Sequence, residues 1–556
     1  MTIHRSPAPV DTPGAPGLAP GVEVHEPMAD GAPWIVRRVD GQYVRIGADI
    51  AKLLKALDGE RDAGQLTAAL GPPWTERDVD GVLTRLRPMA VLAEPETPGK
   101  DGRARKQRSL RRWIRFVPPL TVQLTLLRPD RLMRWLRPLI TMLAHRASLI
   151  LATAAVIGGM IALALQAPAL GDAIGRPQSM LVLVAVVLGS LLTTGLHEFG
   201  HGMALSHYGC TPTRMGMMLF YLTPAFFCDV SDGWRLPRNE QRTRVALAGI
   251  ATQLIVAGVA GLASGVAALV GAPTWQTGLL LFSVATFVAA IVNVVPFVKF
   301  DGYIALMCHL DVPHLRDRSM QDARAVVARV LFGGRYQRSL PDLAWAVPFG
   351  LVSIVFPVYL VSVALVLWLD FLQLAGWVGI AAVAGILGYL AYRAGAGFVS
   401  LLRQAKAAGA RPWRMTLVVT ALTGAVIGAL ALVQVPGSVT GGYVQDGAAL
   451  RLVLPDTADQ DEIAPGDEVT LIERGVLTRR TVGTAVVAPG EYESMDVPLL
   501  AFFPISDMAD LMVDATGRDL QVTDPPTTPI GMAVVATGDQ PHGRWLWNEY
   551  LAPVLR

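Results

Sequence analysis

The chain has 556 residues, 52% apolar and only 17% charged, with a mean hydropathy of +0.42. Soluble proteins carry about 25% charged residues, so the composition excludes an ordinary soluble enzyme and points to membrane spans. Residues 437–556 hold seven Arg, no Lys and 18 acidic residues, a balance of −11, while the rest of the chain carries +14. That asymmetry predicts two compartments. The basic residues are spread along loops, so nucleic acid is not expected as a partner.

Residues 1–32 are rich in Pro, Ala and Gly and have no apolar h-region. They read as a disordered tail, with no signal peptide expected. Residues 33–95 read as a small soluble domain. WIVRRVDGQYVRI alternates like a strand pair turning at Asp40-Gly41. Helical spacing follows over 48–57, 63–70 and 75–86, the last opening at a Thr75 cap and ending near Pro88. A short strand over 90–93 would close the domain. Residues 96–146 form a basic juxtamembrane segment, with 13 Lys/Arg against Asp101 and Asp130 across 100–146. Its mixture of Arg with Trp and Leu suits a membrane interface.

Crossing the hydrocarbon takes about 20 apolar residues per helix. Seven stretches qualify: 147–170, 180–196, 245–273, 277–298, 343–369, 371–392 and 415–435. Residues 215–228 are apolar but short and contain Pro224, which suggests a re-entrant hairpin. The connecting segments 206–244, 299–342 and 393–414 are Arg-rich and those near 171–179 and 274–276 are not. The positive-inside rule therefore places the N-terminus in the cytoplasm and the acidic C-terminal part outside. Residues 436–556 carry short apolar runs such as LRLVL, EVTLI and MAVVA between Gly, Pro and Asp, and predict a small β-barrel or sandwich. Cys210, Cys228 and Cys308 include no CxxC pair, and none lies in the C-terminal part, so no disulfide framework is expected there and no thiolate zinc site anywhere.

The chemistry lies in His197-Glu198-Phe199-Gly200-His201, an HExxH at the end of the second span. On a helix, residues i and i+4 share a face, so both imidazoles can hold one metal, with Glu198 beside them as a base. Zinc is the default ion for two His plus a carboxylate. It acidifies water and polarises a carbonyl. Asp301 is the sole acidic residue between Glu240 and Asp311 and follows a long apolar stretch, which makes it the candidate third ligand. Pro296 should break the helix before it, Gly302 should let the backbone turn, and Asn293 could hydrogen-bond a substrate carbonyl or oxyanion. Among other polar residues, His207 is a candidate for the surroundings of the site and Asp229 and Asp232 could border a substrate path. His309 and His314 are expected at the cytoplasmic surface, and His542 and Trp545 are expected to pack.

HExxH on one span and NxxPxxxxDG on a later one resemble the site-2 protease family of intramembrane zinc metalloproteases. The match covers residues 179–309. It implies that His197, His201 and Asp301 bind Zn2+, that Glu198 is the general base and that Asn293 positions the substrate. It also implies a three-helix core over 180–209, 245–273 and 277–308. PFVKFDGY and FYLTPAFFCDVSDGWRLPRNEQR look more like a bacterial subgroup of peptide zinc metalloproteases, often found in clusters for ribosomally made, modified peptides. Residues 33–95 are similar in outline to PqqD-like leader-binding domains, through the order of elements and YVRIGADIAKLLKALDG. The C-terminal domain weakly resembles the extracytoplasmic β-barrel parts of membrane-fusion proteins.

The expected fold is therefore mainly α: a polytopic membrane protein with about seven transmembrane helices, a small α/β winged-helix-like N-terminal domain, a transmembrane domain over 147–435 and a β-rich C-terminal domain. The expected setting is the bacterial cytoplasmic (inner) membrane. The resemblance implies hydrolysis of a peptide bond in a small precursor peptide. The alternatives are a regulatory intramembrane protease acting on a membrane-bound factor, or a non-catalytic peptide-binding or export protein.

Overall fold

The computed structural model describes residues 15–38, 43–89, 91–93, 114–117, 121–127, 129–220, 223–374, 376–447, 449–455, 460–476 and 478–548. The chain forms two compact units. One comprises Met1–Thr153, Leu191–Gln253 and Ile304–Asp311, the other Ala154–Ser190, Leu254–Tyr303 and Val312–Arg556.

In the first unit, β1 (Glu23–His25), β2 (Trp34–Arg37) and β3 (Tyr43–Ile46) form an antiparallel sheet with Trp34 opposite Ile46. The Asp40-Gly41 turn lies outside the described residues. Helices α1 (Ala48–Ala56), α2 (Ala63–Leu70) and α3 (Glu76–Leu86) follow where the periodicity places them. Two of them open on capping boxes, Asp62 with Gln65 and Thr75 with Asp78, each satisfying two orphan amides. Their apolar faces meet Val36 in one core that includes Leu53, Leu54, Leu66 and Val79. This domain begins earlier than residue 33. Leu18, Val22 and Val24 pack against the same core, and Leu18 bridges Leu92. The segment read as a tail therefore contributes β1, because its few apolar residues have a surface to cover.

The basic segment over 96–146 also contains more than the sequence suggested. Within it β4 (Ile114–Val117) and β5 (Thr121–Leu127) pair with β6 (Met215–Phe220), which turns back into β7 (Thr223–Cys228), giving the antiparallel order β4-β5-β6-β7. The apolar stretch 215–228 is thus a hairpin, extended into a sheet by a partner from far upstream. Helices α4 (Pro129–Trp135) and α5 (Arg137–Leu143) come next. Their Met133 and Ile140 are buried with Met215, Phe199 and Met203.

Among the described residues, seven helices are long and apolar enough to cross a membrane: α6 (Arg146–Leu165), α8 (Met180–His207), α9 (Asn239–Leu269), α10 (Pro273–Val294), α13 (Ala346–Leu374), α14 (Gly376–Ala407) and α15 (Pro412–Leu432). Shorter helices α7 (Ala167–Gly175), α11 (Asp301–Leu310) and α12 (Leu315–Phe332) lie between them. The count agrees with the sequence. Several boundaries differ: α6 ends at Leu165 and not near 170, and α9 begins at Asn239 and not near 245. Helix α14 continues to Ala407, because Leu401, Leu402 and Ala405 pack on Ala328 and Phe332. Pro296 breaks the helix as expected, so the stretch over 277–308 that the resemblance implied is divided between α10, which ends at Val294, and α11, which begins at Asp301.

In the second unit α6 and α9 touch backbone to backbone. A Cβ at Gly159 would lie 2.7 Å from the carbonyl carbon of Gly258, the close approach that small residues permit between apolar helices. Gln166, between α6 and α7, donates to Ser264 of α9 at 2.9 Å and accepts from Gln276 of α10 at 3.0 Å, a polar triad that ties these elements together. The C-terminal strands are β8 (Gln434–Asp446), β9 (Ala449–Leu454), β10 (Glu468–Arg474), β11 (Arg479–Val487), β12 (Glu493–Pro498), β13 (Met512–Asp524) and β14 (Ile530–Pro541). They run β11-β10-β14-β8-β9-β13, and β11 pairs again with β13. This closes a six-stranded antiparallel barrel, with β12 paired beside β13 as an edge strand. Its interior holds Tyr443, Leu452, Leu454, Leu471 and Val535. The last helix, α16 (His542–Leu546), stacks His542 on Trp545 and packs Trp545 against Leu365 and Val383. His542 and Trp545 are packing residues, as expected.

Candidate metal centre

Helix α8 is apolar along its membrane-length stretch and turns polar in its last three turns, at HEFGHGMALSH. His197 and His201 are one helical turn apart and only 4% and 5% exposed. Their Nε2 atoms stand 3.1 Å apart with the rings nearly perpendicular. Two nitrogens bound about 2.0–2.1 Å from one tetrahedral zinc are separated by about 3.3 Å, so the imidazoles are spaced for a shared ion.

The surroundings orient these rings. The Val245 carbonyl lies 2.8 Å from His201 Nδ1, which places the ring proton there and directs the Nε2 lone pair toward His197. On α9, Gly249 faces both rings. A Cβ at that position would come within 2.6 Å of His197 Nε2 and closer still to His201 Nε2. A methyl group there would fill the space between the ligand atoms. Gly200, the fourth residue of HEFGH, lets α9 approach: its Cβ would stand 3.0 Å from the Ala248 carbonyl oxygen and collide with Thr252.

Asp301 completes the group. One ligand atom each from His197, His201 and Asp301 lie within 4.8 Å of one another. Asp301 is the first residue of α11, where the helix dipole favours a carboxylate. Gly302 serves close packing: a Cβ on it would overlap the backbone of Val294, at the end of α10. The sharp turn expected at this glycine is absent, since its φ is not positive and it lies inside the helix.

Glu198 projects beside the two histidines toward the hairpin. Its Oε2 accepts a 2.8 Å hydrogen bond from the backbone N–H of Cys228, the last residue of β7. Among the described residues β7 is the terminal strand of its sheet, so the acidic partner of the HExxH is tied to a sheet edge. Asn293 lies in the last turn of α10.

Other sequence candidates fall elsewhere. His207 ends α8, exposed, and meets Tyr208 edge to face. Asp229 is a turn residue that accepts from Ser231 and pairs with Arg214 at 3.2 Å. Asp232, 6% exposed, accepts from Tyr43 at 3.4 Å and pairs with Arg235. His309 and His314 are exposed.

The sequence reading missed a second polar cluster, also in the first unit. Arg45 on β3 grips Asp311, which also pairs at 3.1 Å with Arg242, a guanidinium only 4% exposed. Met28 and Cys210 are 3.7 Å apart, sulfur to sulfur. Burial raises the Cys210 thiol to about 12, with Asp232 adding to it. Burial, then the Asp232 charge, pushes the Tyr43 phenol up. The hydrogen bond from Arg45, with the Arg242 charge, holds the Asp311 carboxyl below the usual carboxylate range against the opposing effect of burial. A strand arginine 266 positions away in sequence gives no local signal of this pairing.

The buried His197–His201–Asp301 group can hold a metal ion: two neutral imidazole nitrogens and one carboxylate oxygen suit zinc. Comparison with known protein families, with curated proteins and with solved structures returns no match.

Proposed function

We propose that this chain is a membrane-embedded zinc metalloprotease that cleaves a small precursor peptide, in the manner of the site-2 proteases its motifs resemble. The observation that carries the reading is the buried His197–His201–Asp301 group with Glu198 alongside, hydrogen-bonded to the end of a terminal strand. Zinc held there would supply a Lewis acid for the scissile carbonyl and acidify water.

The chain's own residues account for the rest. Glu198 takes the proton from the attacking water and returns it to the leaving amine. The Cys228 N–H holds Glu198 Oε2 in place for that transfer. A substrate peptide, unwound locally, adds to the edge of β7 as an extended strand, which delivers its carbonyl next to Glu198. Asn293 donates to that carbonyl. The helix-and-strand domain around residues 33–95 holds a leader segment and raises the local substrate concentration. The proposed setting is the cytoplasmic membrane of a bacterium, with the N-terminus in the cytoplasm and the barrel outside, as the Arg-rich connections indicate.

The test is cleavage of membrane-anchored peptides from a fluorogenic library by the detergent-purified chain, wild type beside Glu198→Gln. The proposal expects turnover only in the wild type, with equal metal content in both. Equal turnover in the two removes Glu198 as the base.

A further inference from the structure

We propose that the connection between α14 and α15 forms a binding site for the headgroup of an anionic phospholipid. A cavity of about 660 Å³ opens where the end of α12 meets the start of α15. Its polar lining comes from Arg411 and Arg414, and no carboxylate lines it. Arg414 is fixed in place: its Nε donates to the Leu331 carbonyl at 2.9 Å and its Nη2 to the Val330 carbonyl at 2.8 Å. The remaining Nη1 lies beside Gly333, 3.2 Å from where a Cβ would stand. Gly333 and Gly334 both adopt positive φ, and Arg335 N–H closes onto the Ala408 carbonyl at 3.2 Å. Arg411 is exposed and has no carboxylate partner among the described residues.

The rest of the rim is apolar and outward. Val330, Trp413 and Leu417 are 68%, 61% and 58% exposed, the first near the end of α12 and the other two on α15, which is long and apolar enough to cross a membrane. Water would be a costly neighbour for such a wall, and acyl chains would not. Trp413 sits in the first turn of α15, the level at which Trp marks a bilayer interface. The segments 329–342 and 393–414 carry eight basic residues and one acid, Asp342, so the loop meets a leaflet where anionic headgroups are attracted. Guanidiniums above and an exposed apolar wall below fit an amphiphile: phosphate at Arg411 and Arg414, tails along Val330 and Leu417. Free phosphate would use the first half and leave the second without purpose.

The test is native mass spectrometry of the full chain released from detergent with dioleoyl-phosphatidylglycerol, dioleoyl-phosphatidylcholine or inorganic phosphate added. Phosphatidylglycerol should be retained over phosphatidylcholine, and Arg411→Gln should weaken that retention about fivefold. Trp413→Ala should weaken it without a change of charge. Arg403→Gln, outside the cavity, should leave it unchanged. Equal retention of the two lipids would overturn the proposal, as would an Arg403→Gln loss matching that of Arg411→Gln. Inorganic phosphate displacing the lipid at equal concentration would make this a free-anion site and overturn the lipid assignment.

Discussion

Arg45 and Asp311 meet through two parallel hydrogen bonds, Nη1 to Oδ2 at 3.0 Å and Nη2 to Oδ1 at 2.9 Å. The first residue lies on the last strand of the N-terminal sheet. The second directly follows α11, the helix that begins at Asp301. The strand domain is therefore held at the far end of the helix that carries a candidate metal ligand.

The two sides of this contact should not respond equally. Arg45 and Asp311 are 41% and 35% exposed, so solvent screens their pair and Arg45→Ala should cost about 1 kcal/mol or less. Asp311→Ala also strips the carboxylate from nearly buried Arg242 and should cost about 2 kcal/mol. Hydrogen exchange over residues 43–46 and 231–235 reads the difference: protection should fall in both segments, and further in Asp311→Ala.

The same contact has a defined pH window. The folded carboxyl of Asp311 titrates below its ordinary value, so its stabilisation is complete above the unfolded value, near 3.9, and disappears as the pH falls through the folded one. Exchange protection corrected for intrinsic rates should be flat from about pH 7 to 5 and drop only below about 4. A drop centred near pH 6 would assign the contact to a histidine instead.

Gly249 and Gly302 should fail in different ways when changed to Ala. At Gly249 the new methyl intrudes between the imidazole nitrogens, so metal binding should be lost while the far-ultraviolet circular dichroism is kept. At Gly302 it meets the backbone of Val294, which cannot swing aside. That variant should lose yield and melting temperature as well as metal.

Cys228 should matter through its backbone and not its thiol. Cys228→Ser keeps the N–H that holds Glu198 and should preserve both metal content and cleavage. Cys228→Pro removes the donor and should reduce cleavage by at least about tenfold while metal stays bound. Inactivity of Cys228→Ser would point to the thiol.

At the other end of α8, the Met180 N–H donates to Asp507 Oδ2 at 2.8 Å, and Gln178 bonds in both directions with Pro504 and Ser506. A barrel residue thus caps the helix that carries the HExxH. Asp507→Ala should cost about 1 kcal/mol, seen as a melting shift of a few degrees, and Asp507→Ser should recover most of it.

Legibility in the sequence followed the range of the interaction. His197 and His201 are one helical turn apart, so their shared face could be read directly. Asp301 was legible because a lone acid among apolar residues needs a reason. The membrane-length helices announced themselves by length and hydropathy. The pairing of β5 with β6 did not, because β5 lies among arginines and its partner is about 90 residues away. Gly249 looked like any glycine of an apolar helix until the rings of another helix were placed against it. Gly302 was read as a turn because a glycine after Asp usually makes one, whereas its missing side chain makes room for Val294. The tail residues Leu18, Val22 and Val24 were hidden by the prolines and glycines around them.

Metal content measures directly whether His197, His201 and Asp301 hold an ion. Inductively coupled plasma mass spectrometry of the detergent-purified chain should find about one zinc per wild-type molecule. His201→Ala and Asp301→Ala should each lose most of it while remaining folded by circular dichroism. No zinc in the wild type, or the same zinc in all three, would contradict the account.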